Sequence, residues 1–540
     1  MSHEILSAAL GGIDAVPVRV QIDSNPGLHS FSIVGLGDKA VQESIDRIEA
    51  AIKHSGFVPP RAKNKRFVIN LAPADLKKEG PGYDLPIAIA YLQETKQIKP
   101  IPSDVMLIGE LGLDGKIGHT NGILASTILA HEMGLREIIV PSCNAEEGAL
   151  VEGVNVIGGD SLVSVVAHLG DTAPLPVTRR CHRVGTGDMS PSDMNLSPGD
   201  MVSPGDKGGD TRGAKSVSPG DSFAYIKGQE TAKRALIVAT AGGHNVLMSG
   251  MPGSGKTLLA RSVAGLLPPM TLQETLEVAK IYSAAGLMKG SIANITRPFC
   301  APHHTASPAS VVGGGSTIRP GQVSLAHRGV LFMDELPEFA RNVLESLRQP
   351  LEDGIVSISR ASGSLTLPAK FMLIGAMNPC PCGNLGDTHS SCSCTPTAIY
   401  KYAKRISGPL LDRMDIQVFV SRESVSSDTV PMSQESLRAI RNQIRNTRLR
   451  QEVRLSPYGL VTNSEISHTH VDALCMASPS AAKLLQHFVN QKHESLRAYH
   501  KIQKVARTIA DLDNEDLILD RHVAEAMALR INDRPLSGGR

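Results

Sequence analysis

The chain has no tryptophan, and aromatic residues make up 3 % of its 540 positions. That scarcity argues against a surface on which successive bases stack, because each platform needs an aromatic ring. Charge of one sign is also missing. Lys and Arg number 55 against 53 Asp and Glu, a formal +2, which excludes a uniformly basic coat for nucleic acid and leaves only a local patch open. No apolar run approaches the roughly 18 residues that a membrane helix requires. The opening MSHEILSAAL has neither the basic start nor the long apolar stretch of a secretory signal. Eight cysteines are too few for a disulfide scaffold of this length. These absences predict a cytosolic chain. What is present, 41 % hydrophobic and 20 % charged residues, is ordinary for a globular protein, and the length predicts three or four domains.

One segment breaks that texture. Between Asp171 and Asp221 large apolar side chains are sparse, and SPGD recurs at Ser197–Asp200, Ser203–Asp206 and Ser218–Asp221. So little apolar surface cannot offset the entropy of ordering, so residues 171–221 read as a disordered Ser/Pro/Gly/Asp linker. Ahead of it, residues 1–170 mix strand-like runs (Val16–Ile22, Phe67–Leu71, Ile138–Val140) with helical stretches (Asp38–Ser55, Gly122–Met133). Behind it, short buried strands alternate with helices over 222–425, the pattern of a parallel α/β sheet: Asn245–Ser249, Val330–Asp334, Phe371–Ala376, Asp415–Val420. From 426 to 540 the pattern is helical, with Ser495–Leu512 the clearest helix.

The strongest motif is GMPGSGKT: Gly250, Met251, Pro252, Gly253, Ser254, Gly255, Lys256 and Thr257, between an apolar strand and a helix. It fits the phosphate-binding loop at every fixed position. Its glycines let backbone N–H groups curl around phosphates, and the helix N-terminus adds its dipole. Lys256 would neutralise the β- and γ-phosphates of ATP, and the Thr257 hydroxyl would ligate Mg²⁺. VLFMDEL then ends a strand in Asp334, suited to Mg²⁺, and Glu335, suited to polarising an attacking water. A third strand ends in Asn378, which could hold that water or simply serve the turn that follows. Arg413, in SGPLLDRMD, could reach a neighbouring subunit's γ-phosphate, or be a surface ion-pair residue.

Together GMPGSGKT, SLAHRGVLFMDELPEF, GAMNPCPCG and SGPLLDRMD resemble the magnesium-chelatase-like AAA+ ATPases, and within them the ComM/YifB branch. The resemblance implies an AAA+ core with a helical lid and puts Arg497, in SLRAYHKIQKVARTIADL, at the sensor-2 position. It places Asn378 at sensor 1. It also implies a homohexamer that migrates DNA branches during natural transformation. IVGLGDKAVQES and NLAPADLKKEGPGYDLPIA resemble the branch's opening domain, which is related to the Lon protease domain. Peptidase activity is not expected, because Gly82 and Leu124 fall where Lon enzymes carry their Ser and Lys, and a dyad needs both. Magnesium-chelatase motor subunits lack that opening domain, which weighs against porphyrin metallation; a chelatase-type ATPase remodelling a protein partner is the alternative.

Four further patterns stay open on sequence alone. Cys380, Cys382, Cys392 and Cys394 could close a structural Zn²⁺ site, with His389 able to replace one sulfur, or remain reduced thiols. Arg297–Gln322, rich in Gly and Pro, reads as a pore-facing loop or a surface excursion, and adjacent His303 and His304 on an extended loop should point apart. Gly354–Lys370 reads as a hairpin whose Arg360 and Lys370 could touch phosphates or stay solvated. Arg438, Arg441, Arg445 and Arg448 share one helical face, which could track a DNA backbone, meet another subunit or face solvent.

Overall fold

The computed structural model describes residues 4–35, 39–74, 78, 80–179, 221–288, 295–314, 319–360, 363–386, 390–422, 432–492 and 495–530. The core of the linker predicted above, 180–220, lies outside the described residues. Among those described, no helix is long and apolar enough to cross a membrane.

The first domain is a seven-stranded sheet: β1 (Glu4–Gly11), β2 (Asp14–Pro26), β3 (Ser30–Val34), β4 (Lys65–Ala72), β5 (Val105–Leu107), β6 (Glu137–Pro141) and β7 (Asn155–Gly159), in the order β3-β4-β2-β1-β5-β6-β7. Strands such as β4, KRFVINLA, bury every second residue more deeply, as a sheet with one apolar face requires. Helix α1 (Lys39–His54) presents its apolar stripe to the sheet. Helix α2 (Asp84–Glu94) is apolar nearly all round and correspondingly buried. Helix α3 (Ile123–Glu132) carries Leu124, fully buried. Leu124, expected from the resemblance to stand where a Lon-type base would, is core packing. Helix α4 (Leu162–Leu169) starts from a Ser161 capping box. The chain stays packed past 170: Val177 bridges Ile157, and the Thr178 N–H donates to Val156 O at 2.8 Å. The ordered edge thus extends beyond what composition alone marks, because two backbone groups find partners on β7.

The second domain is a parallel five-stranded sheet of β8 (Val246–Gly250), β9 (Phe299–Cys300), β10 (Val330–Met333), β13 (Met372–Met377) and β14 (Ile416–Val420), ordered β9-β10-β13-β8-β14. Between β10 and β13 a separate antiparallel hairpin pairs β11 (Ile355–Arg360) with β12 (Gly363–Pro368). The strands β8, β10 and β13 are buried at every residue, which explains their unbroken apolar runs. Helices α5 (Glu230–Gly242), α6 (Lys256–Ser262), α7 (Leu272–Ala284) and α8 (Pro396–Ala403) surround the sheet. Chain order reverses beside β8, between β13 and β14. In open α/β sheets such a switch leaves a crevice at the carboxyl ends of the strands.

The helical lid comprises α9 (Gln434–Leu455), α10 (Pro479–Gln491), α11 (Leu496–Leu512) and α12 (Asp520–Ala528). Among the described residues it shares the core of the sheet: Leu437, Ile444, Val505 and Ile509 pack in one cluster with Val246, Met248 and Ile416. Arg454 reaches from α9 to both carboxylate oxygens of Asp511 on α11, at 2.9 and 2.6 Å. The arginine stripe of α9 resolves into two roles. Arg438 and Arg445 are exposed, whereas Arg441 donates to Gly265 O at 2.9 Å and Arg448 to Thr240 O at 2.8 Å. Arg448 thereby satisfies a carbonyl in the last turn of α5, where a cation also meets the negative end of the helix dipole. A four-arginine track for DNA is not what this face offers.

The first two domains meet directly. Ile13, at the β1–β2 turn, is buried in the cluster that holds Val356 and Leu367 of the hairpin. Asp14 pairs with Lys280 of α7, and the Gly122 N–H donates to Ser283 O at 3.2 Å.

Candidate nucleotide site and a separate arginine cleft

Strand register assembles the site. Ser249 of β8 lies opposite Met377 of β13, and Met333 of β10 opposite Gly375, so the residues that follow, Gly250, Asn378 and Asp334, emerge side by side. The loop then turns through Gly253 and Gly255, at φ +74° and +89°, into α6. Lys256, 8 % exposed, donates to the carbonyls of Gly250 at 2.7 Å and Met251 at 2.8 Å, and lies 3.3 Å from Asn378 Oδ1. Burial pulls its ammonium down to about 8, against the opposing pull of Asp334. The Thr257 hydroxyl donates to Asp334 Oδ2 at 2.7 Å. A hydroxyl and a carboxylate so close are a donor set that suits one Mg²⁺.

Glu335 stands at φ +50° with its side chain 54 % exposed, and His304 Nδ1 approaches its Oε2 at 3.3 Å. The expectation that His303 and His304 diverge is wrong: their ring centroids are 4.1 Å apart, inclined by 33°. His303 also lies 2.8 Å from the Thr305 hydroxyl, so a local turn replaces the extended run that would have separated them. Sequence reasoning missed His304 as a neighbour of Glu335. The one signal available was its place, four residues after β9, beside the strand that leads into Glu335.

Arg413 and Arg497 stand elsewhere. Both meet Glu352: Arg413 forms a close ion pair with it, and Arg497 lies 3.8 Å away. The hydrogen bond from Arg413, with the charges of Arg413, Arg497 and Arg348, holds that carboxylate below its ordinary range. They border a cleft of about 840 Å³ that also takes in Lys370, Lys501 and Lys504, and none of residues 250–257 lines it. At its floor Asp415 is buried. Burial works against its charge, yet Lys501, His244 and Lys504 hold its carboxyl far below the usual range. The sequence-predicted residues thus fall into two groups, one on the loop and one in this cleft.

The four cysteines converge. Their sulfurs all lie within 4.8 Å of one another, a set that can hold a metal ion, and none is in a disulfide. His389, the alternative ligand, lies outside the described residues.

Comparison with known proteins agrees with this architecture. Family models described as "Magnesium chelatase, subunit ChlI", "Subunit ChlI of Mg-chelatase" and "Magnesium chelatase, subunit ChlI C-terminal" match residues 222–428, 20–144 and 434–530. The chain is 38 % identical to "Competence protein ComM" of Haemophilus influenzae over 528 residues, 97 % of each chain. It is 37 % identical to "Uncharacterized protein YifB" of Escherichia coli, covering 98 % of this chain and 97 % of that one. The chain belongs to the ComM/YifB group of magnesium-chelatase-like AAA+ ATPases. Likeness to "Magnesium-chelatase 38 kDa subunit" of Rhodobacter capsulatus is narrower: 29 % identity over 31 % of this chain and 52 % of that one. The ComM/YifB likeness therefore takes in the first domain and the lid, and the matched ATPase segment, 222–428, carries every loop residue and both carboxylates described above.

Proposed function

We propose that this ATPase is a homohexameric motor in the cytoplasm that uses ATP and Mg²⁺ to migrate DNA branches during natural transformation and recombination, with a structural Zn²⁺ at its four cysteines. What carries the reading is the separation of Arg413 from Lys256: a transition-state cation remote from its own chain's phosphate loop fits a neighbour's loop in a ring. End-to-end likeness to a protein named for competence supports the DNA part.

In this mechanism the loop 250–257 wraps the phosphates with backbone N–H groups, and Lys256 transfers its hydrogen bonds from the Gly250 and Met251 carbonyls to phosphate oxygens. Thr257 and Asp334 hold Mg²⁺, which shields the phosphate charge. Glu335 polarises the attacking water and Asn378 orients it, while Arg413 and Arg497 of an adjacent subunit meet the developing charge. Motion of the stretch that follows β9, where His303 and Thr305 are exposed, and of the hairpin, then passes to DNA.

The deciding experiment is branch migration of a synthetic four-way DNA junction by the purified chain, with Lys256→Ala and Glu335→Gln as controls. ATP-dependent migration that both substitutions abolish is the expected outcome. Hydrolysis without DNA binding at any salt concentration would refute the DNA motor and favour remodelling of a protein partner.

His304 makes a further prediction. Its ring stands 3.3 Å from Glu335 Oε2 and competes with water there, so His304→Ala raises DNA-free turnover by up to about fivefold, the upper worth, about 1 kcal/mol, of an exposed charge pair. Steady-state kinetics should show the change in kcat with the KM for ATP unaltered.

A further inference from the structure

The four-cysteine cluster sits where it bears on the nucleotide loop. A tetrahedral site with Zn–S bonds of about 2.3 Å requires sulfurs separated by about 3.8 Å. Cys380 and Cys382 lie 3.4 Å apart, Cys380 and Cys392 3.7 Å, and Cys382 and Cys392 3.6 Å. The Cys382 N–H points at the fourth sulfur, Cys394 Sγ, at 3.4 Å, the kind of backbone support that fixes a thiolate ligand. Cys380 is fully buried and the others are half-buried, so the cluster is closed on one side by protein. A tetrad of sulfur ligands suits Zn²⁺ and leaves no coordination position for catalysis.

Two contacts join this knuckle to the nucleotide site. Cys380 follows Asn378 by two residues, so the ligand closest to β13 fixes the strand end from which Asn378 reaches Lys256. The turn inside the knuckle passes over the phosphate loop: a Cβ on Gly383 would lie 2.5 Å from Pro252 Cγ. Beyond the last ligand, Thr395 caps α8, and Tyr402 of that helix is buried with its hydroxyl oxygen facing the Asn378 backbone N–H. The knuckle is therefore tied at both ends to Asn378 and rests on Pro252 in between.

We propose that Cys380, Cys382, Cys392 and Cys394 bind one Zn²⁺ whose task is to position Asn378 and Pro252, so that occupancy of the metal site sets the competence of the nucleotide site. The positioning role rests on the ATPase reading above; binding of the metal does not. Without the metal, three short-range links are lost from a segment with little other secondary structure, and the loop and Asn378 lose their shared brace.

The test uses the full chain. Zinc released by a mercurial reagent is counted with a chromogenic chelator, and cobalt replacement gives the thiolate charge-transfer and tetrahedral ligand-field bands. The expected result is about one zinc per chain, falling to below ~0.2 in Cys392→Ser/Cys394→Ser, whose KM for ATP rises and kcat falls by at least about tenfold. Because that double variant could fold poorly, Gly383→Ala serves beside it: it keeps all four ligands, and an Ala at φ +83° with its Cβ against Pro252 displaces the turn. It should retain zinc and the cobalt spectrum while its KM for ATP rises. A folded wild-type chain that takes up neither zinc nor cobalt overturns the metal site and leaves the ATPase reading standing. Wild-type kinetics in zinc-free double variant or in Gly383→Ala overturns the positioning role. A chain that holds zinc but binds no ATP overturns the positioning role together with the ATPase reading, and leaves the metal site.

Discussion

Lys256→Ala lowers ATP turnover by at least about 100-fold, the loss typical of removing one donor aimed at developing charge. The substituted chain should keep its melting temperature within a few degrees, because Lys256 accepts no apolar packing duty and its present hydrogen bonds go to loop carbonyls. The lysine also makes a pH prediction. Burial holds its ammonium at about 8, well below the 10.5 of a free lysine. At pH 9 the nucleotide-free loop therefore holds a largely neutral amine, and phosphate oxygens restore its proton. ATP binding takes up close to one proton there and almost none at pH 7. Calorimetry in buffers of different ionisation enthalpy reads that uptake directly, and Lys256→Ala should abolish it. The sign also fixes the stability trend without nucleotide. Between about 8 and 10.5 the unfolded chain holds a proton that the folded chain has released, so this residue makes stability rise with pH across that window.

Arg413→Ala should cost turnover about as severely, roughly 10³-fold, while leaving ATP affinity nearly unchanged. Its partner Glu352 is shared with Arg497 in a cleft that no residue of the phosphate loop borders, so in the proposed ring the loss falls on the neighbour's site. Mixing gives the decisive form of the experiment. Neither Arg413→Ala nor Lys256→Ala turns over alone, yet in mixed rings about a quarter of the interfaces pair an intact loop with an intact arginine. Activity should reappear on mixing in proportion to those interfaces. If mixtures stay inactive although native mass spectrometry shows mixed rings, Arg413 does not act across subunits.

Legibility in the sequence followed the range of the interaction. The phosphate loop is contiguous, and its strand and helix neighbours are fixed by local pattern, so Gly250–Thr257 could be read residue by residue. Asp334 and Asn378 were readable for a related reason: each ends an apolar run, and parallel strands bring such ends to one edge. Strand order was not readable, because nothing in β14 announces that it pairs with β8 rather than β13. Arg413 and Arg497 could be marked as candidates, but their shared acid, Glu352, lies 61 residues from Arg413 in the chain and carries no motif. The His303–His304 pair failed for a physical reason: opposed side chains are a property of extended backbone, and a turn held by Thr305 is not extended. The arginines of α9 stayed open through the same limit. Spacing can assign a common face, but it cannot tell which members of that face find carbonyls to cap.

The turn at Gly12 has a mechanical consequence. A Cβ there would lie 2.1 Å from Leu365 Cδ1, so the first domain touches the β11–β12 hairpin through bare backbone, while Ile13 is sunk beside it. A joint with no spare volume transmits displacement instead of absorbing it, because packed interiors compress little. Any displacement of the hairpin is handed to a sheet of seven strands on the far side, and any displacement of that sheet is handed back. The opening domain is coupled mechanically to the ATPase core at this joint.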